Sequence, residues 1–306
     1  MISRYSAHGL TWIDLESPTT QEMEHIAEEF NIPRLVGREM LDHTIRSKVD
    51  FYPDFLYLVL HFPMSALQKN EDNEHEIDFI VGKQFLITAR YEPLEPVTTF
   101  AKLFEADNLS EYPSAQHMHG GFIFMQMVKS FYRHSLKELE DMTAVLKEIE
   151  HRIFTNQQIT IVRDISGMSR KLLDFKQSIR FHGEVLNSYE SASNRLFGEA
   201  SRYYAQSVTS EYKKVDSILE SHRDVLGELQ RTNDSLLTTK SNEIMKNFTI
   251  MTFVMLPLTL ITGVFGMNTA VDLIFIKSVP DFFFILGAMV LTGIVMFLFF
   301  KLRRWI

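Results

Sequence analysis

Hydrophobic and polar positions change rhythm twice along the chain. Up to about residue 90 the rhythm is two. Thr11-Trp12-Ile13-Asp14-Leu15 alternates, and Lys48–Tyr52, Phe55–Phe62, Glu76–Val81 and Gln84–Arg90 read as four further strands. The last two are joined by Gly82-Lys83, a hairpin-type turn. Ser17-Pro18-Thr19 starts a helix whose amphipathic part is Glu22–Phe30, Asn31-Ile32-Pro33 ends it, and a second helix runs to about Asp42. Lys69–His75 is a polar loop, and Val97–Ala106 a further helix. Residues 1–115 are thus expected to form an α/β domain within an α+β chain.

From about Gln116 the rhythm becomes helical, and residues 116–200 read as a helical hairpin. Gly120–Phe154 is one helix, with Leu136, Leu139, Thr143, Leu146 and Ile149 near one face and Glu138, Asp141, Glu148 and Glu150 on the other. A turn at Thr155-Asn156 leads to a second helix ending near Asn194. Gly198 marks a break, and a third helix begins near Ser201. No Pro- or Gly-rich linker follows it, so 201–268 reads as one stalk helix of roughly 100 Å at 1.5 Å per residue.

The third rhythm is continuous apolarity. Phe248–Phe265 and Phe282–Phe300 carry no charge, and each approaches the roughly 20 residues that cross a bilayer. One such run could be a core helix; two in tandem argue for membrane spans, at about 247–266 and 282–300, joined by a loop at 269–281. Lys240 and Lys246 precede the first span, and Lys301, Arg303 and Arg304 follow the second, whereas the loop carries Asp272, Lys277 and Asp281. The positive flanks put both termini on the cytoplasmic side of a multi-pass protein of the inner (plasma) membrane, with Trp305 as an interfacial anchor.

Composition adds exclusions. The 306 residues carry a net charge of −8 and no cysteine. Disulfides and thiolate metal sites are excluded, and the acidic balance argues against nucleic acid as a partner. No apolar segment follows Met1, so no signal peptide is expected. Phosphate loops, nucleophile–base pairs and zinc spacings are lacking, so the chain reads as a non-enzyme.

The chemistry concentrates in the first span. Every third and fourth residue, Asn242, Met245, Thr249, Thr252, Leu256, Thr259, Gly263 and Gly266, is mostly small or polar, while Ile250, Phe253, Val254, Leu258, Leu260 and Ile261 occupy the other faces. A 3.5-residue repeat keeps such a stripe on one seam of a left-handed bundle. It either lets helices pack closely or lines a water-filled path. Neither span contains an ionisable residue, which argues against proton relays and dehydrated cation cages. Neutral oxygens suit an ion that keeps its water shell, as Mg²⁺ does.

Gly266-Met267-Asn268, at the end of the first span, resembles the signature loop of the CorA family of magnesium channels. Asn242-Glu243-Ile244-Met245-Lys246, Met255-Leu256-Pro257-Leu258-Thr259, the tail from Lys301 to Ile306, Thr11–Leu15 and Phe85–Arg90 extend the resemblance over the chain. It implies a funnel-shaped homopentamer in the lipid bilayer that passes Mg²⁺, with Co²⁺ and Ni²⁺ as further candidates. Gly266, Met267 and Asn268 would form the filter, Asn268 holding the ion through its hydration shell. Asn242, Met245, Phe248, Thr252, Leu256, Thr259 and Gly263 would line or gate the path, and Lys301, Arg303 and Arg304 would form a basic collar. Divalent cations are cargo, and no resident cofactor is implied.

Two departures stand out. The family's acidic loop is replaced by Thr269-Ala270-Val271-Asp272-Leu273, and its Mg²⁺-sensing aspartate aligns with Ser207. A zinc transporter of the ZntB type and a non-conducting membrane scaffold are the alternatives. Asp216, Glu220, Asp224 and Glu228 recur at i, i+4 with Lys213, Arg223 and Arg231 nearby; they suit an ion-paired stalk, with Asp216 and Glu220 as candidate regulatory ligands. His117 and His119 face different sides of a helix and make a poor metal site.

Overall fold

A computed structural model of the chain describes residues 1–63, 74–106, 119–155, 158–266, 279–303 and 305. The chain divides into two units, Met1–Leu229 and Gln230–Ile306.

The N-terminal unit is built on a six-stranded sheet. Its strands are β1 (Ile2–Ala7), β2 (Leu10–Glu16), β3 (Lys48–Phe51), β4 (Phe55–Pro63), β5 (Glu74–Gly82) and β6 (Phe85–Arg90), in the order β1-β2-β6-β5-β4-β3. Only the β2–β6 pair is parallel, with Ile13 opposite Ile87. The other four pairs are antiparallel. Five strands match the alternating stretches of the sequence. The sixth, β1, was not expected: ISRYSA alternates exposed and half-buried positions, as an edge strand does, and carries little apolar signal.

Alternation sends the strands' side chains to two different layers. Ile13, Leu15, Tyr57, Val59, Ile80, Ile87 and Ala89 pack with Met23, Ile26 and Ala27 of α1 (Thr20–Glu29) and Val36 of α2 (Arg34–Glu39). Thr19 and Glu22 close a capping box at the start of α1. The opposite face is aromatic. Trp12 meets Phe100 and Phe104 of α3 (Glu95–Glu105) edge-on, at 5.5 and 5.9 Å. Phe79 meets Phe124, and Phe62 stacks on Phe131, both of α4 (Gly120–Phe154). Such pairs add about 0.5–1.5 kcal/mol each to area burial. Gly120 is needed where α4 meets the sheet: a Cβ there would lie 2.2 Å from the Phe85 carbonyl oxygen and 2.3 Å from that of Gly82.

Helix α4 has the bounds its periodicity predicts. Glu138, however, belongs to its buried face rather than its solvated one, because it shares that face with Ser135 and Met142 and reaches toward His134 at 3.7 Å. The expected single helix to Asn194 is two, α5 (Gln158–Ile179) and α6 (His182–Phe197). The break lies where no Pro stands: α6 turns so that His182 is fully buried against Phe62, and Gly183 approaches Tyr212 closely. The last two helices are α7 (Ala200–Gly266) and α8 (Val279–Leu302).

Candidate ion pathway

Helix α7 runs unbroken for 67 residues, with Pro257 inside it. Proline removes one backbone donor and crowds the carbonyl four residues before it, a defect that membrane helices tolerate. Both α7 and α8 contain stretches long and apolar enough to cross a membrane, and neither stretch is buried as a core helix of a water-soluble protein would be.

Within the two apolar spans the shielded side chains fall mainly on one face of each helix. On α7 these are Ile250, which is buried, and Val254, Pro257, Leu258 and Ile261, which are half-buried; Thr249, from the stripe, is half-buried beside them. On α8 they are Ile285, Ala288, Met289, Thr292, Gly293, Met296 and Phe300, again at steps of three and four. Each residue turns a helix by about 100°. The stripe of Thr252, Leu256, Thr259 and Gly263 therefore lies about half a turn from the shielded face of α7, and all four are exposed. A Cβ added at Gly263 or Gly266 would meet nothing within 4 Å, so packing inside one chain does not require those glycines. From Thr252 to Gly266 the stripe is not the seam by which this chain packs its own helices. An open groove of about 720 Å³ runs along this side, bordered by Thr252, Met255, Leu256, Thr259, Leu260, Gly263 and Val264.

The hydroxyls have a defined polarity. Thr249, Thr252 and Thr259 donate to the carbonyls of Met245, Phe248 and Met255, at 2.8, 2.9 and 2.9 Å. Each proton is used inside the helix, leaving the oxygen lone pairs to face outward. Such a wall accepts hydrogen bonds and donates few, which matches the outward-pointing hydrogens of a cation's water shell.

The remaining candidates are distributed as follows. Asn242, Met245 and Phe248 are exposed on α7 below the threonines. Gly266 is the last residue of α7; Met267, Asn268 and Asp272 lie outside the described residues, as does Arg304. Lys301 and Arg303 are exposed at the end of α8, the Arg303 guanidinium 6.0 Å from the Phe299 ring centre. Ser207 is half-buried on α7. His117 lies outside the described residues, while His119 caps α4 by accepting from the Phe122 amide and stacks on Phe197. Among the described residues no three His, Asp or Glu side chains gather as metal ligands.

Asp216 and Glu220 have a partner that sequence reasoning missed. Lys176 of α5 donates to Asp216 at 2.8 Å and meets Glu220 at 2.7 Å, and Arg223 holds Glu220 from the other side at 3.0 Å. Hydrogen bonding from Lys176, reinforced by its charge and that of Arg223, holds the Glu220 carboxyl below the usual range. Lys176 stands 40 positions before Asp216, and no local spacing connects them.

The profile of the CorA-like Mg²⁺ transporter proteins matches residues 7–304, almost the whole chain. The chain belongs to that family. Among curated relatives of this CorA-family chain is the cobalt/magnesium transport protein CorA of Thermotoga maritima, 21% identical over 97% of this chain and 83% of that protein. The complete structure of the CorA magnesium transporter from Methanocaldococcus jannaschii shares its fold, with a TM-score of 0.83 at 19% identity over 99% of this chain and 93% of the other. The ZntB cytoplasmic domain from Vibrio parahaemolyticus also matches, with a TM-score of 0.61 at 14% identity over 76% of this chain and 88% of that domain. The fold is therefore shared by proteins named CorA and ZntB. The relatives are named as transporters, not enzymes.

Proposed function

We propose that this CorA-family chain assembles as a homopentamer with cytoplasmic termini in the inner membrane and passes Mg²⁺, with Co²⁺ and Ni²⁺ as further cargo, along the α7 stripe. The observation that carries this reading is the orientation of the stripe: Thr252, Leu256, Thr259 and Gly263 are turned about half a helical turn from the face α7 shields within its own chain. Copies arranged around a common axis would point these residues at one another and enclose a path. The threonine oxygens would accept from the ion's water shell, and a ring of Asn268 amide oxygens would select the hydrated ion at the outer end. Leu256, Met245 and Phe248 would form apolar constrictions. Lys301, Arg303 and Arg304 would form the collar.

Entry would be passive. An inside-negative potential of about 100 mV gains about 2.3 kcal/mol per charge, hence about 4.6 kcal/mol for a dication. Ser207 carries no charge where the family's sensing carboxylate is expected, so cytoplasmic Mg²⁺ would inhibit this channel only weakly.

Purified protein in liposomes, loaded with a Mg²⁺ indicator and polarised inside-negative, tests the reading. Mg²⁺ influx that exceeds Zn²⁺ influx is expected. Zn²⁺ influx without Mg²⁺ influx would favour the ZntB-type alternative, and no flux of either would favour the scaffold.

A further inference from the structure

The contact between α5 and α7 in the N-terminal unit contains a fixed positive charge at the point where two carboxylates converge. Asp216 and Glu220 stand one turn apart on α7, close enough on a helix surface for one cation to touch both. Lys176 reaches across from α5 and does so, at 2.8 Å from Asp216 Oδ1 and 2.7 Å from Glu220 Oε1. Arg223 adds a second positive charge at Glu220. Two carboxylates thus face two cations, and the patch is locally neutral. The three side chains of the clamp are between 30% and 43% exposed, so a hydrated ion from the cytoplasm would reach them if the ammonium were absent.

We propose that Lys176 is a built-in cation: its ammonium occupies the place between Asp216 and Glu220 that a divalent cation would otherwise bridge, so that the α5–α7 contact closes without Mg²⁺. The ammonium is tethered to α5 and does not dilute away when cytoplasmic Mg²⁺ falls. Partial burial pulls the proton affinity of Lys176 down, but the hydrogen bonds and negative charges of Asp216 and Glu220 together outweigh it and raise it, so the charge persists across the physiological range. A dication arriving at a neutral patch gains little attraction and must displace the ammonium first. Where a transporter of Mg²⁺ could use an acidic stalk to sense its cargo, this chain has made one acidic turn insensitive to it. That regulatory meaning rests on the transport reading above; the clamp does not.

Hydrogen exchange on the full-length protein in detergent tests the clamp without any flux measurement. Amides of residues 172–180 and 212–224 are followed in EDTA and in millimolar MgCl₂. The unmodified protein should exchange equally in both. Lys176→Met keeps the apolar stem and removes the ammonium; its amides in these segments should exchange about two- to fivefold faster in EDTA, the scale of partly exposed ion pairs, and MgCl₂ should restore the protection. Lys176→Met with Asp216→Asn should lose the restoration. Three results would overturn the proposal: Mg²⁺-dependent protection in the unmodified protein that Asp216→Asn removes, unchanged exchange in Lys176→Met, or faster exchange that MgCl₂ does not restore. A protein that carries no Mg²⁺ flux yet shows the expected exchange pattern would refute the transport reading and leave the clamp standing.

Discussion

In the N-terminal unit a buried polar network closes within the chain. Asp14 accepts from Thr88 at 2.7 Å and from Arg90 at 3.0 and 3.2 Å, and Thr88 in turn accepts from the Trp12 indole; all four residues are buried. In the C-terminal unit the situation is reversed. Phe248, Phe253, Leu256 and Leu260 are each more than half exposed, and the described hydroxyls of the span bond only to their own helix. Burying an isolated ion is far costlier than leaving a methyl group in water, so the buried Asp14 carboxylate needs the partners that Thr88 and Arg90 supply. The second unit leaves its apolar surface exposed, as a helix long and apolar enough to cross a membrane does. The transport path is assigned to a surface that one chain leaves open.

The sharpest way to break that comparison is at the filter. Asn268→Leu should abolish Mg²⁺ uptake in liposomes while the oligomer, followed by size-exclusion chromatography with light scattering, still forms. Undiminished flux would remove Asn268 from the path. Accessibility comes next. The chain has no cysteine, so single cysteines label without background. A water-soluble thiol reagent should modify cysteine at Thr252, Leu256 and Thr259 and should leave cysteine at Ile250 and Phe253 unmodified. Equal labelling of both sets would mean that the stripe is a packing seam.

A smaller effect tests the closure of the N-terminal unit. His182 is fully buried, accepts or donates at 2.8 Å with the Tyr132 hydroxyl, and packs edge-on against Phe62. Burial pushes its pKa from 6.5 down to about 3, helped by the nearby His61. A histidine depressed in the fold is stable there as the neutral ring. Its contribution is complete above pH 6.5 and is lost as the pH falls from 6.5 toward 3. At pH 5 the loss is about 2 kcal/mol, from 1.5 pH units at about 1.36 kcal/mol each. Urea midpoints at pH 7.5 and pH 5, read by near-ultraviolet circular dichroism, should draw together in His182→Gln. The same separation in both proteins would assign the acid sensitivity to other groups. The smallest effect concerns Ser207. Cytoplasmic Mg²⁺ in the low millimolar range should inhibit current weakly, and Ser207→Asp should strengthen that inhibition a few-fold by adding a carboxylate whose repulsion a bound dication relieves. Strong inhibition of the unmodified channel, unaltered by the substitution, would place its sensor elsewhere.

Where a property depends on residues within one or two helical turns, the sequence alone determined it. The bounds of α4, the two uncharged spans, the five apolar-patterned strands and the 3-4 stripe from Asn242 to Gly266 are all local periodicities, and periodicity survives without knowledge of neighbours. The filter tripeptide was legible as a motif, although Met267 and Asn268 lie outside the described residues. What only the tertiary structure decided involves segments far apart in the chain. The edge strand β1 exists because β2 offers it a ladder, not because ISRYSA is apolar. Glu138 sits on the buried face of α4, against its type. Helix α5 stops before Arg180 so that His182 can enter the core, with no proline and only Gly183 beside it to announce the break. Lys176 meets Asp216 and Glu220 only because α5 folds back along α7. The stripe itself was visible in the letters, but its freedom from packing was not. That required knowing which face Ile250, Val254 and Ile261 occupy, and burial is a property of the whole chain rather than of any window in it.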